Sequence, residues 1–136
     1  MSGSVDVVRR IYEAVARRDP QTVRSLYDPA VELRFAPGTL GDQLGARSLS
    51  GLDGIRAFDR DLRASFDDFE TPYDELIDAG DRVVSVSRYR GRGQRSGVEI
   101  AGPLQFLVWT VDAGRVTRVE WYATRGEALR AAGLET

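Results

Sequence analysis

Apolar residues at helical spacing dominate the first half of the chain. A first helix, with Ser4 as its N-cap, is predicted by apolar residues at every third or fourth position: Val8, Ile11, Tyr12 and Val15. Asp19 followed by Pro20 predicts the N-cap and first position of a short second helix that ends at Asp28-Pro29, because proline loses no helical hydrogen bond at that first position. A third helix is predicted after Ser50, with a capping box of Ser50 and Asp53 and one apolar face: Ile55, Phe58, Leu62 and Phe66.

Apolar and polar residues alternate with period two in most of the remaining chain, which is typical of strands. The pattern predicts strands over residues 31–35, 73–77, 83–90, 98–111 and 115–123. We expect the fourth of these to be kinked at Gly102-Pro103, because proline cannot donate to the strand ladder. Thr124 and Glu127 form a capping box for a terminal helix that stops at Gly133. The glycine- and proline-rich segment 36–50 is predicted to be a loop of the kind that often borders a binding site.

This order of elements predicts an α+β fold. Helices are segregated from an antiparallel run of strands, which distinguishes it from a parallel α/β arrangement. A curved sheet wrapped by the three helices of the N-terminal half would enclose a pocket between the two layers. The 136 residues fit a single domain, 1–136, that is large enough to bury a core.

Composition narrows the chemistry that such a pocket could perform. The chain has no cysteine and no histidine, which excludes disulfides, thiolate nucleophiles, sulfur-ligated metals and an imidazole base. Acid–base chemistry would therefore need Asp, Glu or Tyr. All 19 cationic residues are arginine, which we attribute to coding bias rather than to anion recognition. The acidic pairs at turns lack the spacing of a calcium loop, and we expect neither a metal nor a cofactor.

Charge and hydropathy also limit the partners and the location. The net charge of −2 gives no attraction toward nucleic acid or an anionic membrane, and we expect neither as a partner. No apolar run approaches the roughly 18 residues of a membrane span, and residues 1–4 do not begin an export signal. These features predict a cytoplasmic protein.

Four stretches resemble the SnoaL-like proteins of the nuclear-transport-factor-two-like superfamily. They are residues 8–14 (VRRIYEA), 78–84 (DAGDRVV), 108–116 (VWTVDAGRV) and 127–134 (EALRAAGL), and the likeness covers about residues 5–134. The resemblance implies a conical α+β barrel with an internal pocket. It also implies, for a catalytic member, isomerisation, cyclisation or hydrolysis of a polyketide- or terpenoid-like compound, although fold alone does not settle function.

The positions that carry catalysis in related enzymes hold other residues in this chain. The carboxylate base of ketosteroid isomerase-like enzymes falls on Phe35 or Arg34, and their oxyanion-hole tyrosine falls on Ile11, beside Tyr12. Their second oxyanion donor, an acid, falls near Phe106. The catalytic residues of ketosteroid isomerase-like enzymes therefore have no counterpart at these positions of the sequence.

Limonene-epoxide hydrolase-like enzymes use an Asp–Arg–Asp set, of which only the arginine has a match. It corresponds to Arg88, whereas the two aspartate positions hold Arg90 and Trp121. The acid–base aspartate of SnoaL-type cyclases also resembles the position of Trp121. The sequence does not decide whether the protein is an enzyme.

Alternation gives a set of candidate ligand-binding residues. It places Val84, Val86 and Arg88 on one face, which we assign to the interior because it is largely apolar. Arg88 would then bind the anionic or carbonyl head of a ligand, or else reach the barrel mouth or pair with Glu99 or Glu32. Aromatic candidates are either pocket wall or core packing: Trp121, Tyr12, Phe35, Phe106 and Tyr27. The arginines near the following turn, Arg90, Arg92 and Arg95, are interpreted as solvated.

A homodimer is predicted from the long fourth strand. Its alternation places Leu107 and Trp109 opposite Phe106 and Val108, on the outer face of the sheet. A strand that is apolar on both sides is covered on both sides, and a second subunit would cover the outer one.

Two function hypotheses from different classes follow, with a third beside them. The first is a domain that binds a small apolar organic molecule. The second is a non-catalytic dimerisation or binding module whose pocket is filled by its own side chains. The third is an enzyme that uses Glu32, Glu99 or Asp42 in an arrangement unlike that of the family, which requires a carboxylate inside the cavity.

Overall fold

The computed structural model describes residues 3–43, 48–93 and 97–134, and it confirms the α+β class. The helices are α1 (Gly3–Ala16), α2 (Pro20–Ser25), α3 (Leu40–Gln43), α4 (Gly51–Ser65) and α5 (Arg125–Ala131). The strands are β1 (Tyr27–Phe35), β2 (Ser48–Ser50), β3 (Phe66–Glu70), β4 (Tyr73–Ala79), β5 (Arg82–Gly93), β6 (Glu99–Asp112) and β7 (Arg115–Tyr122). No helix in the described ranges is long and apolar enough to cross a membrane.

The strands form one curved, mostly antiparallel sheet in the order β2-β1-β7-β6-β5-β3, with β4 also paired to β5. The exception is the pair β1–β7, which is parallel and joins the first long strand to the last. Helices α1, α2 and α4 pack on the concave face of the sheet. The sheet and these three helices are the two layers that the sequence predicts.

Two predicted helix starts are confirmed by their caps. The Asp19 carboxylate accepts a hydrogen bond from the Thr22 backbone N–H at 3.2 Å, and Pro20 occupies the first turn of α2. The Thr124 hydroxyl oxygen accepts a hydrogen bond from the Glu127 backbone N–H at 3.2 Å at the start of α5. Ser4, the predicted first N-cap, instead lies within α1.

Three short elements depart from the predicted boundaries. Residues 28–29, predicted to end α2, lie inside β1, where the register with β7 shifts between Tyr27 and Glu32 and such an irregularity tolerates a proline. The predicted loop over residues 36–50 contains α3 and β2, with residues 44–47 outside the described part. The predicted end of the third helix at Phe66 is instead the start of β3.

The long pair β5–β6 carries the predicted irregularity at Gly102-Pro103. Arg88 pairs with Leu104 but Arg90 pairs with Ala101, so β6 holds one extra residue between these two pairs. A Cβ at Gly102 would lie 3.0 Å from Cδ2 of Tyr89. The glycine therefore leaves room for the Tyr89 ring on the neighbouring strand.

The two faces of β6 are covered by different parts of the same chain. Leu107 and Trp109 belong to the inner core, whereas Val108 packs with Val84 and with Ala128 of α5 on the outer side. The prediction that Leu107 and Trp109 face outward is therefore wrong. Both faces of the strand are apolar, so alternation alone cannot say which of them is the inner one.

This correction removes the argument for a homodimer from those two residues. The strand is covered on both sides, as its composition requires, but at Val108 the outer cover is α5. The homodimer itself stays a prediction.

Candidate functional site

A cavity of about 440 Å³ lies between the helices and the concave face of the sheet. Its wall is mainly apolar and includes six aromatic side chains: Tyr12, Tyr27, Phe58, Tyr89, Trp109 and Trp121. This volume lies within the roughly 300–1,000 Å³ of small-molecule sites. The hypothesis of a pocket filled by its own side chains therefore finds no support in the structure.

Three of the predicted site residues meet in this cavity. Tyr12 on α1, Tyr27 at the start of β1 and Trp121 on β7 all line it. The Tyr12 ring lies 5.6 Å from the Trp109 ring, and the Tyr27 ring lies 6.5 Å from it, measured between centroids. These aromatic faces would suit a flat apolar guest.

Phe35 is buried but lies behind the cavity wall. Its ring stacks against Trp121 at 4.6 Å and against Phe58 at 4.9 Å between centroids. Gly41 closes the other side, where a Cβ would collide with the Phe35 ring. Phe35 therefore supports the wall without lining it, and its placement as a ligand contact is corrected to core packing.

Phe106 does not line the cavity, because it faces the opposite side of the sheet. It pairs with Val86 on β5 and Tyr122 on β7, and it packs with the cluster beneath α5. Residues directly opposite each other on neighbouring strands share a face, so the three side chains point outward together.

Arg88 also lies on the outer face, and its assignment to the interior is wrong. Its side chain is 43% exposed, and its Nη2 lies 3.5 Å from an Asp74 carboxylate oxygen on β4. The predicted partners were different, since Glu99 lies near Arg92 and Glu32 contacts Arg34 and Arg118. The physical reason is that Val84 and Val86 lie on the outer face with Arg88, while Ser85 and Ser87 at the alternate positions have hydrogen-bond partners inside.

Those inner positions of β5 hold a buried hydrogen-bond network. The Trp109 Nε1–H donates to Ser85 Oγ at 2.8 Å, and Ser85 Oγ lies 2.8 Å from the Tyr12 hydroxyl. The Tyr12 hydroxyl in turn donates to Ser87 Oγ at 3.4 Å. Ser87 lines the cavity, so the network ends at the cavity surface.

Two further polar side chains of the inner wall make no side-chain hydrogen bond within the described ranges. The Tyr89 hydroxyl is enclosed without a partner, and Gln105, which pairs with Ser87 across the sheet, is 8% exposed. An enclosed hydroxyl without a hydrogen bond, such as that of Tyr89, costs about 1–3 kcal/mol.

Burial keeps the inner tyrosines neutral. Loss of solvent raises the pKa of Tyr12, Tyr27 and Tyr89 above the usual range of a phenol, outweighing the serine hydrogen bonds that lower the pKa of Tyr12. These hydroxyls therefore stay protonated at neutral pH and can donate hydrogen bonds.

The cavity mouth is charged. Arg18 after α1, Arg24 on α2 and Arg56 on α4 line it, and none of them forms an ion pair in the part of the chain that the structure describes. The two carboxylates at the mouth are already engaged. Asp59 accepts hydrogen bonds from Arg63 at 2.9 and 3.1 Å, and hydrogen bonds from Thr22 lower the pKa of Asp19.

The carboxylates proposed for a catalytic arrangement unlike that of the family lie outside the cavity. Glu32 contacts Arg118 at 3.2 Å on the sheet surface, and Asp42 accepts a hydrogen bond from the Gly38 N–H at 3.1 Å. Glu99 is 84% exposed beside Arg92. Within the described residues no group of three or more acidic side chains is placed to hold a metal ion.

A second cavity, of about 310 Å³, lies on the other side of a wall formed by Tyr89, Gln105 and Trp121, which line both. Gly38 and Thr39, from the segment predicted to border the site, line this second cavity instead of the first. Arg90 lines it as well, whereas Arg95 of the predicted solvated cluster lies outside the described residues.

Sequence analysis missed the polar wall and the mouth arginines. One signal was available, because Ser85 and Ser87 alternate with valines, and serine at a buried strand position needs a hydrogen-bond partner. The mouth arginines come from separate elements, and only their packing brings them together.

A family model described as "SnoaL-like domain" matches residues 8–119. An uncharacterised protein of Mycobacterium tuberculosis is 33% identical over 122 residues, with 88% of each chain covered.

Solved structures share the fold. An NTF2-like protein from Burkholderia thailandensis is 30% identical, with a TM-score of 0.77 and 98% of each chain covered. TerC, co-crystallised with polyporic acid, is 22% identical, with a TM-score of 0.77 and coverage of 97% of this chain and 99% of its own.

Proposed function

Because the chain belongs to the family of SnoaL-like domains, we propose that its cavity binds a small, flat, largely apolar organic acid. The observation that carries the proposal is one cavity with an aromatic wall inside and three unpaired arginines at the mouth. The apolar body of the ligand would lie among Tyr27, Trp109 and Trp121. Its acid group would lie at Arg18, Arg24 and Arg56.

The aromatic wall favours a ring system over a flexible chain. Trp121 and Phe58 are held edge to face at 5.4 Å between centroids, and Phe35 fixes Trp121 from behind. Rigid aromatic surfaces bind flat rings at small entropic cost.

The mouth arginines favour an anion. Each guanidinium keeps its charge at any physiological pH and forms charge-assisted bonds with carboxylates. The nearby acids have other cationic partners, because Asp59 pairs with Arg63 and Asp19 pairs with Arg17. The charge of the three mouth arginines is therefore available to a ligand.

We propose binding in preference to chemical transformation of the guest. The carboxylates that line the cavity within the described part, Asp19 and Asp59, lie at the mouth and are engaged there. The tyrosines of the wall have raised pKa values, so they stay protonated at neutral pH and can donate hydrogen bonds but cannot take up a proton. This wall can hold and polarise a guest, but it offers no general base.

Binding of aromatic acids tests the proposal. Tryptophan fluorescence would report on polyporic acid, the compound with which TerC was co-crystallised, and on simpler aromatic acids beside their methyl esters. We expect the acids to bind and the uncharged esters to bind roughly tenfold more weakly, the equivalent of one charge-assisted contact.

Arg24→Ala and Arg56→Ala should each weaken binding of the acid and leave binding of the ester unchanged. Arg88→Ala is the matched control, because it removes an arginine from the outer face. Equal affinity for acid and ester, or equal loss in the Arg88→Ala variant, would contradict the proposal.

A further inference from the structure

The direction of the buried hydrogen-bond network is fixed at one end. The indole N–H of Trp109 can only donate, so Ser85 Oγ accepts there. The Tyr12 hydroxyl has one proton and donates it to Ser87 Oγ. In the contact between Tyr12 and Ser85 the donor is therefore the Ser85 hydroxyl, and the Tyr12 oxygen accepts. The hydrogen bonds therefore follow one direction, from donor to acceptor: Trp109 to Ser85, Ser85 to Tyr12, and Tyr12 to Ser87.

Ser87 is left with a proton and no acceptor. It is 2% exposed and lines the cavity, and its hydroxyl donates to no group in the described part of the chain. A hydroxyl that already accepts a hydrogen bond is a stronger donor, because successive bonds polarise one another. The network thus presents a donor hydroxyl at the inner wall.

Two more unpaired polar groups flank that donor. Gln105 lies directly opposite Ser87 on β6 and lines the same cavity, where its amide makes no hydrogen bond with described residues. Tyr89 follows two residues after Ser87 on the same face, with its hydroxyl unpartnered. Three buried side chains with unused hydrogen-bonding capacity thus share one patch of a mainly apolar wall.

We infer that Ser87 and Gln105, with Tyr89 beside them, form an inner hydrogen-bond site for a carbonyl oxygen of the bound molecule. The inference rests on the proposed function, and it specifies the ligand class further. The guest would be a ring-bearing carboxylate with a second, neutral oxygen acceptor at its inner end. The acid would lie at the mouth, and the carbonyl would accept hydrogen bonds from the Ser87 hydroxyl and the Gln105 amide N–H.

The test compares two rigid acids that differ in one oxygen, fluorenonecarboxylate and fluorenecarboxylate. We expect the full-length protein to bind the ketone roughly three- to tenfold more tightly, the ratio that one or two net hydrogen bonds supply. Ser87→Ala and Gln105→Met should reduce that ratio toward one, because each lowers the affinity for the ketone more than the affinity for fluorenecarboxylate. Ser50→Ala, a serine substitution on the exposed strand β2, is the matched control.

Infrared spectroscopy gives an independent measurement. The carbonyl stretch of bound fluorenonecarboxylate should lie at lower frequency than in an apolar solvent and should return toward that solvent value in the Ser87→Ala complex. If that variant does not fold, the wild-type ratio and the wild-type stretch still decide the matter.

The outcomes separate the two proposals. Equal binding of both acids with an unshifted carbonyl would overturn the inner site and leave the proposed function standing. Binding of neither acid would overturn both. A ketone preference that persists in Ser87→Ala and Gln105→Met would assign the carbonyl to another part of the cavity and would also overturn the inner site.

Discussion

Both faces of the β5–β6 pair hold buried residues, but the two faces differ in how completely the space around those residues is filled. On the outer face Val84, Val108 and Ala128 have no exposed surface, and all three belong to one packed cluster. On the inner face, the neighbouring residues Ser87 and Gln105 line a cavity. Burial alone therefore does not distinguish a structural face from a binding face. The difference lies in whether each polar group has a partner.

Polar contacts also attach α5 to the outer face of the sheet. Arg125 at the start of α5 makes two hydrogen bonds to the Glu75 carboxylate, at 2.9 and 3.2 Å. Arg82 donates to the carbonyl oxygen of Ala131 at 2.9 Å, near the other end of the helix. Both ends of α5 are thus tied to strands, which suits a helix that completes the fold.

The largest effect is expected from a charge placed under α5. Ala128→Asp would bury an unpaired carboxylate and should lower the free energy of unfolding by about 3–5 kcal/mol. Urea denaturation measures the loss. Ala113→Asp is the control, since Ala113 is exposed in a turn with φ of 51°, where aspartate is tolerated. An equal effect of the two substitutions would mean that α5 does not close the outer face.

A smaller effect on the free energy of unfolding is expected from alanine substitutions at two serines of the inner face, and it should differ between them. Ser85→Ala would leave the buried Trp109 N–H without an acceptor and should cost about 1–3 kcal/mol. Ser87→Ala removes only a long hydrogen bond beside the cavity and should cost less than about 1 kcal/mol. Urea denaturation of both variants gives the comparison. A larger loss of unfolding free energy in Ser87→Ala than in Ser85→Ala would show that Ser87, and not Ser85, is the serine on which stability depends.

The smallest effect is expected in the pH dependence of stability, through Glu75 on the outer face. Hydrogen bonding to Arg125 lowers the pKa of Glu75 below its usual value of 4.5. A lowered folded pKa stabilises the fold above the unfolded value, and this stabilisation is lost as pH falls through the folded value. The Tm difference between wild type and Glu75→Gln should therefore be constant near neutral pH and vanish as pH falls below 4.5. A difference that persists at lower pH would indicate that the carboxylate charge does not hold α5.

The longer helices and strands were predictable because their signals are local. Asp19-Pro20 and Thr124 with Glu127 fix helix starts through contacts within four residues, and alternation marks the long strands. Strand β3 escaped prediction because its residues continue the apolar pattern of the preceding helix. The overall fold class followed from the order of elements.

The orientation of β5 could not be predicted in the same way. Val84 and Val86 form the more apolar face, which in most half-buried strands is the inner one. In this protein α5 covers that face, and the serines face inward because Tyr12 and Trp109 supply their hydrogen bonds. Those partners lie 73 and 24 residues away from Ser85 in the sequence, so no local pattern reveals them.

The parallel pairing of β1 with β7 affects the order in which the chain can fold during its synthesis. Glu32 contacts Arg118, 86 residues later, and Leu33 lies opposite Val119 in the same ladder. In a growing polypeptide the edge of β1 that pairs with β7 therefore stays open until almost the whole chain has been synthesised. Completion of the barrel depends on the last strand, so a product truncated before residue 115 would retain an open edge suited to aggregation rather than to carrying a guest.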